Sequence, residues 1–472
     1  MARAARVPVL TRACAVPIAF VVAIAASGCL TGPNYKRPPV DAPAAFRGVQ
    51  EASAVTSIAD ERWWQLFEDE TLQALIRTAL EHNYDVQMAA ARILEAQAQL
   101  GVTRADQFPS VSAGVDVLGQ RPAAALGFPS RNVAAVEIQA SSAWELDFWG
   151  KFRRATEAAR AQLLAGEWGR RAVVATLVSQ VSSGYFGLRA LDLELTISSR
   201  TLASRQESLQ LAQARERGGV TSLLDVRQAE QLVYSATGEI ATLEREIAQQ
   251  ENFLSVLAGG NPGPIARGRA LTDEPSPPDV PAGLPSTLIE RRPDVQRSEQ
   301  QLVAANAQIG VARAAYFPQI ALTGSGGFES TALAGLFTGT NVIWSAAAIA
   351  TQPIFTAGRT RSQVAVAEAR RDEAVIAYQQ TVRQAFKEVS DALVGYAKLR
   401  EFREQQVLLL AAAQDARRLA EVRYEGGATS YLEVLDADTR LFDAELGLVQ
   451  AELSERSALV EIYRALGGGW QD

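Results

Sequence analysis

The sequence predicts a mainly α-helical protein with a small β-barrel part: long coiled-coil helices carrying four membrane β-strands per chain. Three observations predict this class. The 472 residues are built twice on one plan. Each copy contains a proline-free stretch of 67 residues, long enough for a helix of about 100 Å at about 1.5 Å per residue. Each copy also contains two short strand-like segments: in the first copy apolar and polar side chains alternate, the period of a strand, and the weaker, Ala/Gly-rich segments of the second copy follow through the repeat.

Self-similarity at a fixed offset decides the organisation before any local reading. Gln107-Phe108-Pro109 matches Tyr316-Phe317-Pro318, Gly150 matches Gly358, Gly218-Gly219 matches Gly426-Gly427, and Leu257-Ala258-Gly259 matches Leu466-Gly467, always 208 or 209 residues apart. Between Arg217–Glu230 and Glu425–Asp438 seven of fourteen residues are identical. The expected division is a signal segment at 1–28, an N-terminal segment at 29–70, a first repeat at 71–258, a Pro/Gly-rich linker at 259–285, a second repeat at 286–466 and a tail at 467–472.

The first 28 residues read as an export signal: Arg3, Arg6 and Arg12, then an apolar run from Ala13 to Ala26, then Ser27 and Gly28. No other stretch approaches the ~18 consecutive apolar residues of a spanning helix. Removal of the signal takes Cys14 with it and leaves Cys29 as the only cysteine, so no intramolecular disulfide is possible. "AASGCL" resembles a bacterial lipobox, with Ala26 where the pattern prefers Leu, and Leu30 is not the Asp associated with inner-membrane retention. The resemblance implies lipidation of Cys29 and anchoring in outer-membrane lipid.

Each repeat reads as helix, two strands, helix, glycine turn, helix. In the first, Thr71–Arg104 is rich in Ala, Leu, Gln and Glu and lacks Pro. Strands follow at 108–118 and 134–148, a long helix at 151–217 and a second helix at 221–258. The second repeat gives a helix at 286–315, strands at 318–328 and 342–355, a long helix at 359–425 and a helix at 429–466. Heptad seams run through Val226, Ala229, Val233, Ala236, Ile240, Leu243 and Ile247 and through Leu432, Leu435, Thr439, Phe442, Leu446, Val449 and Leu453, a spacing that implies left-handed coiled-coil packing.

The strands place Val111, Ala113, Val115 and Val117 on one face and Ser110, Ser112, Gly114 and Asp116 on the other; Val136, Ile138 and Ala140 likewise alternate with Glu137, Gln139 and Ser141. Such alternation suits a membrane-barrel strand around water. Four strands cannot close a barrel, and open edges are prohibitive in lipid, so strands must pair between chains around a symmetry axis. Two copies would supply eight strands and three would supply twelve; spacing alone does not choose.

The glycine turns read as helical hairpins. Gly takes the left-handed C′ position without Cβ strain. Ser430 with Glu433 matches a Ser-x-x-Glu capping box, and Ser222 with Asp225 a poorer version.

"GPNYKRP" (32–38), "RWWQLFEDETLQALI" (62–76), "WELDFWGKFRRATEAARAQ" (144–162) and the long run from Leu284 to Gly324 resemble the OprM-like branch of the TolC outer-membrane efflux proteins over essentially the whole exported chain. The resemblance implies a homotrimer with a twelve-stranded barrel on an α-helical tunnel across the periplasm. The N-terminal segment, the 259–285 linker and the tail would form a belt, and the loops 119–132 and 327–341 would face outside. It implies passive export of drugs or other small toxic compounds, with a periplasmic membrane-fusion adaptor and an inner-membrane transporter of the resistance-nodulation-division type as partners.

In such a protein the hairpins would be the periplasmic tips, where the tunnel narrows and the adaptor docks: Gly218, Gly219, Thr221 and Ser222 in the first, Gly426, Gly427, Thr429 and Ser430 in the second. Asp436 matches the aspartate lining the closed aperture, Leu432 the apolar residue one turn before it, and Glu433 a further acidic position. Asp225 matches a first-half tip aspartate that helps hold the closed state, and Tyr424 matches a tip tyrosine of the periplasmic gate. The family arginine expected near Thr429 is absent. Glu433 has a sufficient role as a cap; Asp436 lies beyond the cap's reach and is the stronger gate candidate.

Composition excludes other classes. At 48% hydrophobic and 21% charged residues the chain is a folded body rather than a disordered one. A net charge of -7 with Arg and Glu interspersed shows no basic face for nucleic acid. His82 is the only histidine, and no metal-spaced Cys/His cluster or phosphate-binding glycine motif is present, so neither a cofactor nor enzyme chemistry is expected. The competing expectations are a protein-secretion channel driven by an ATP-dependent exporter, and a periplasmic coiled-coil scaffold lipoprotein without a pore.

Overall fold

The computed structural model describes residues 30–43, 45–47, 57–121, 133–273, 280–281, 283 and 285–471. The signal segment, Cys29 and most of the 119–132 loop lie outside the described residues. In chain order the elements are α1 (Trp63–Leu66), α2 (Glu70–His82), α3 (Tyr84–Ala105), β1 (Ser110–Gln120), β2 (Val133–Glu145), α4 (Lys151–Arg217), α5 (Leu223–Leu257), α6 (Pro285–Arg291), α7 (Pro293–Ala314), β3 (Gln319–Ser330), β4 (Val342–Thr351), α8 (Arg359–Glu425) and α9 (Tyr431–Ala465). The duplication is visible in the lengths: α4 and α8 have 67 residues each, α5 and α9 have 35.

The described residues pack as two units, one from the described parts of 30–38, 93–166 and 298–378, the other from the described parts of 39–92, 167–297 and 379–471. The first holds an antiparallel sheet in the order β1-β2-β3-β4. Its register aligns Val115, Ile138, Phe328 and Val342 in one row across all four strands, while Asp116, Glu137 and Glu329 form the adjacent row on the opposite face. Within the chain β1 and β4 are edges. Large apolar side chains of the sheet lie open, Trp344 to 79%. Matching serine pairs, Ser112–Ser141 at 2.8 Å and Ser325–Ser345 at 2.9 Å, link each repeat's own hairpin.

The residues that follow Cys29 are stitched to the same unit. The Thr31 hydroxyl donates to the carbonyls of Trp149 (2.8 Å) and Gly310 (3.0 Å), and the buried Arg154 donates to the Thr31 carbonyl at 3.1 Å. Arg37 forms a bidentate pair with Glu299 at 2.7 and 2.6 Å, a geometry that fixes orientation as well as distance.

The second unit has its main core where α1 and α2 pack on α4 and α9, around Trp63, Phe67, Leu72, Val181, Tyr185 and Tyr463. Each such fully buried side chain contributes roughly 1.5–3 kcal/mol. Asp69 positions this region: one carboxylate oxygen caps α2 through Thr71 N (2.7 Å), and the other accepts from the Tyr185 hydroxyl (2.9 Å).

Several boundaries differ from the sequence expectations. The helix expected over Thr71–Arg104 is two helices, because Asn83 turns extended (ψ 130°), accepts from Asp85 N at 2.8 Å to start α3, and donates to the Leu257 carbonyl at 3.0 Å. The helix expected at 286–315 divides before Pro293, since proline disfavours a helical residue ahead of it. The strand expected at 342–355 stops at Thr351, two residues before Pro353, which has no N–H for the ladder; that at 134–148 stops at Glu145. Helices α5 and α9 begin two residues later than expected, at Leu223 and Tyr431. The α5 seam is buried at Val226, Ala229, Val233, Ala236 and Leu243. In α9 the seam fails at its first position: Tyr431 and Leu435 are buried, whereas Leu432 is 56% exposed.

Candidate functional site

Two helical hairpins, α4–α5 and α8–α9, carry the candidate residues. In the first, Val220 N donates back to the Arg215 carbonyl (2.9 Å) and Gly219 N to that of Glu216 (2.9 Å), closing α4 with Gly219 at φ +74°. In the second, Ala428 N reaches the Arg423 carbonyl (2.8 Å) and Gly427 N that of Tyr424 (3.0 Å), with Gly427 at φ +71°. These are Schellman closures, and a Cβ at either glycine would meet nothing within 4 Å, so backbone conformation alone selects glycine there. Gly218 and Gly426 precede them as the last residues with helical hydrogen bonds.

The caps reverse the sequence expectation. Ser222 and Asp225 form a complete box: Asp225 N donates to Ser222 Oγ at 3.4 Å, and the Asp225 carboxylate accepts from Ser222 N at 3.1 Å. It also accepts from the hydroxyls of Thr221 and Ser222. The Thr221 hydroxyl, aided by the Ser222 contacts, holds the Asp225 carboxyl below the usual carboxylate range. Ser430 occupies the N-cap position of α9 but makes no side-chain cap bond. Glu433, one methylene longer than Asp225, accepts instead from the Thr429 hydroxyl and from Arg423 on α8 at 2.6 Å. The acid expected to serve as a cap therefore ties α9 to α8.

Contacts between the hairpins involve Tyr424 together with residues the sequence did not single out, among them Arg215 and Arg205. Arg215 donates to the Tyr424 hydroxyl and lies 4.8 Å over its ring, and Tyr424 packs on Tyr431 with centroids 5.3 Å apart. Burial pushes the Tyr431 phenol up. Asp438 accepts from Arg205 at 3.1 Å and lies 3.7 Å from Arg417. A cavity of about 100 Å³ opens among these side chains, next to a small apolar cluster of Ala212, Val226, Ala229, Tyr431 and Leu435. One sequence signal was present for Arg205: it is a charge whose position in the other repeat is Ala413.

Leu432, Asp436 and Arg440 follow one another at successive turns on the exposed face of α9. Asp436 accepts from Arg440 Nε at 2.8 Å, and this hydrogen bond raises the Arg440 guanidinium. An exposed pair of this kind contributes little to stability. Of the expected gate residues, then, Leu432 and Asp436 point outward together, Glu433 and Asp225 are bound within their own hairpins, and Tyr424 sits between the hairpins. Among the described residues no group of three His, Cys, Asp or Glu is placed to hold a metal ion, and no helix is long and apolar enough to cross a membrane. The sheet, with an apolar row on one face and an acidic row on the other, has the two faces a membrane barrel needs.

The profile of the "Outer membrane efflux protein" family matches the chain twice, at residues 75–260 and 284–468. The chain is 37% identical over 462 residues to the probable efflux pump outer membrane protein TtgC of Pseudomonas putida, covering 96% of this chain and 95% of that one. It is 34% identical over 455 residues to the cation efflux system protein CusC of Escherichia coli, covering 96% and 98%. Among solved structures, the open state of the MtrE outer membrane channel of Neisseria gonorrhoeae superposes with a TM-score of 0.85 at 30% identity, over 94% of this chain and 99% of that one. Two glycine-closed hairpins on paired long helices, a two-faced sheet and a family match repeated in each half lead to one conclusion: the chain belongs to the outer membrane efflux protein family and is an outer-membrane efflux channel.

Proposed function

We propose that the chain is the exit duct of a tripartite efflux pump, working as a homotrimer. Three copies pair β1 of one chain with β4 of the next, so that twelve strands close around water with the Val115–Val342 row toward lipid and the Asp116–Glu329 row toward the lumen. The observation that carries this reading is the sheet whose two edges find no partner among the described residues of its own chain. The helices cross the periplasm and present their hairpins to a periplasmic adaptor, with residues 218–222 and 426–430 as docking points. An inner-membrane transporter of the resistance-nodulation-division type supplies the energy. The channel performs no catalysis. Lipidation of Cys29 and the barrel together hold the protein in the outer membrane. The duplicated organisation, repeats at 71–258 and 286–466 around the 259–285 linker, supports a pseudo-sixfold tip made of six hairpins.

Asp436 and Leu432 form the closing constriction of the tip: threefold symmetry would place a ring of each on the axis. A carboxylate ring attracts cations and repels itself when narrowed. Glu433, Asp225 and Tyr424 hold the hairpins that carry this ring. The substrates are drugs or other small toxic compounds, in keeping with the efflux-pump relative. The cation efflux relative offers a second substrate class, for which this chain lacks a metal-binding cluster among its described residues. The test is purification in detergent followed by planar-bilayer recording. A heat-modifiable trimer that conducts ions supports the duct; a monomer, or a trimer without conductance, supports the scaffold instead.

A further inference from the structure

An open cleft runs between α7 and the start of α8, where both helices meet the sheet: α7 ends at Ala314 shortly before β3, and α8 begins at Arg359 shortly after β4. Its volume is about 500 Å³, within the range of small-molecule sites. Val311, Ala312, Val366 and Ala367 give it an apolar floor, and Val366 is 50% exposed. Arg359 and Arg370 line it as well, and both are exposed. They are 11 residues apart in sequence. That is about three turns, so both guanidinium groups lie on one stripe of α8, about 16 Å apart along its axis. Among the described residues no acid lines the cleft. Glu368, the one acid in the 359–370 stretch, is held by Arg313 at 2.6 Å.

The cleft opens on the side of α7 away from the N-terminal segment. Asn306 donates to the Pro33 carbonyl at 2.9 Å, and a Cβ at Gly310 would meet the Thr31 carbonyl oxygen at 2.6 Å. Gln308 and Ala312, which line the cleft, each come two residues later, about 200° around the helix. The N-terminal segment leads from Cys29 and belongs to the lipid-anchored outside of the proposed duct, so the cleft faces the lumen. The first repeat does not reproduce these features. The counterpart of Arg359 is Lys151, which Glu145 neutralises at 2.9 Å, and that of Arg370 is the uncharged Gln162. The counterpart of Val366 is Ala158, buried in a cluster with Ala304 and Ala307 of α7.

We propose that the α7–α8 cleft is a transit site for amphiphilic anions, with the apolar body of the ligand on the Val311–Val366 floor and its sulfonate or carboxylate on Arg359 or Arg370. Three such sites per trimer lie next to a barrel whose acidic row, Asp116, Glu137 and Glu329, repels anions. A cationic, apolar-floored slot at that point raises the local concentration of the anions that must pass. This inference rests on the channel reading and names a substrate class for it.

The test uses single full-length trimers in planar bilayers, with submicellar taurocholate, whose sulfonate keeps its charge, on the periplasmic side. Taurocholate should interrupt the current in discrete blocks. The double variant Arg359→Gln, Arg370→Gln should shorten the mean block about tenfold. Lysine at both positions should stay within about twofold of wild type, and Lys151→Gln should leave the blocks unchanged. Sodium sulfate, which has the charge alone, and octyl glucoside, which has the apolar chain alone, should not block. Val366→Asp puts an anion on the floor and should abolish the blocks, which keeps the test open if the arginine variant fails to form trimers. The site is overturned if the double variant or, failing that, Val366→Asp is blocked as long as wild type, or if sulfate or octyl glucoside blocks as long as taurocholate does. Conducting trimers that taurocholate never blocks overturn the site and leave the duct standing. Trimers that never conduct but retain taurocholate in equilibrium dialysis, with retention lost in the double variant, sink the duct and leave the site standing.

Discussion

The two hairpins share a backbone and differ in what holds them. Both close with a Schellman turn on a positive-φ glycine, and both place Ser at the N-cap of the following helix. The first then folds its acid back on itself: Asp225 satisfies Ser222 and Thr221 and reaches no other helix. In the second the acids reach other helices, Glu433 to Arg423 on α8 of the same hairpin and Asp438 to Arg205 on α4 of the other. The equivalent arginines diverge in the opposite sense, since Arg215 crosses to Tyr424 while Arg423 stays with Glu433. A duplicated fold has thus kept its geometry and divided its labour. The first tip has a self-contained cap and ends in the exposed Val220, Leu223 and Leu224. The second is bound through ion pairs, the kind of contact that can be exchanged when a partner arrives.

This contrast can be broken at several points. The largest effect is expected where the hairpins agree. Gly219→Ala and Gly427→Ala should each destabilise their turn by about 1–2 kcal/mol through left-handed strain, read as faster amide exchange at both turns. Unequal effects would mean the two turns are not equivalent. A smaller effect should separate them. Ser222→Ala removes a working cap, at a cost of about 1 kcal/mol, and should speed exchange of the first-turn amides of α5 roughly fivefold. Ser430→Ala removes a side chain with no cap bond and should leave α9 within about 0.5 kcal/mol of wild type. Equal responses would restore the symmetric capping that the sequence suggested. The smallest effect is in pH. The Asp225 carboxyl sits below its ordinary value when folded, so its stabilisation is complete above the ordinary carboxylate range and fades as pH falls through the folded value. Acid should therefore loosen the start of α5 first, and Asp225→Asn should abolish that dependence in exchange measurements.

Much of the architecture was legible because it rests on local rules. Proline-free stretches delimited α4 and α8, and alternation together with the repeat located the four strands. What escaped depends on tertiary partners. Asn83 ends α2 because the Leu257 carbonyl and its own capping bonds reward an extended residue there; by propensity it is only a mild helix breaker. The Ser430–Glu433 pattern names plausible partners without their geometry, and Arg423 and Thr429 outcompete the cap. Asp438 was inside a stretch already marked as important, but its partner Arg205 lies 233 residues away. Leu432 fitted both a buried seam and an exposed constriction, and burial of Tyr431 and Leu435 placed it outside.

The central claim is that the second hairpin closes the pore with the outward face of α9. Single-channel conductance and ion selectivity of Asp436→Ala trimers in planar bilayers test it most directly. Removal of the carboxylate should raise conductance or leak and weaken cation preference relative to wild type. Conductance and selectivity that both remain at wild-type values would contradict it.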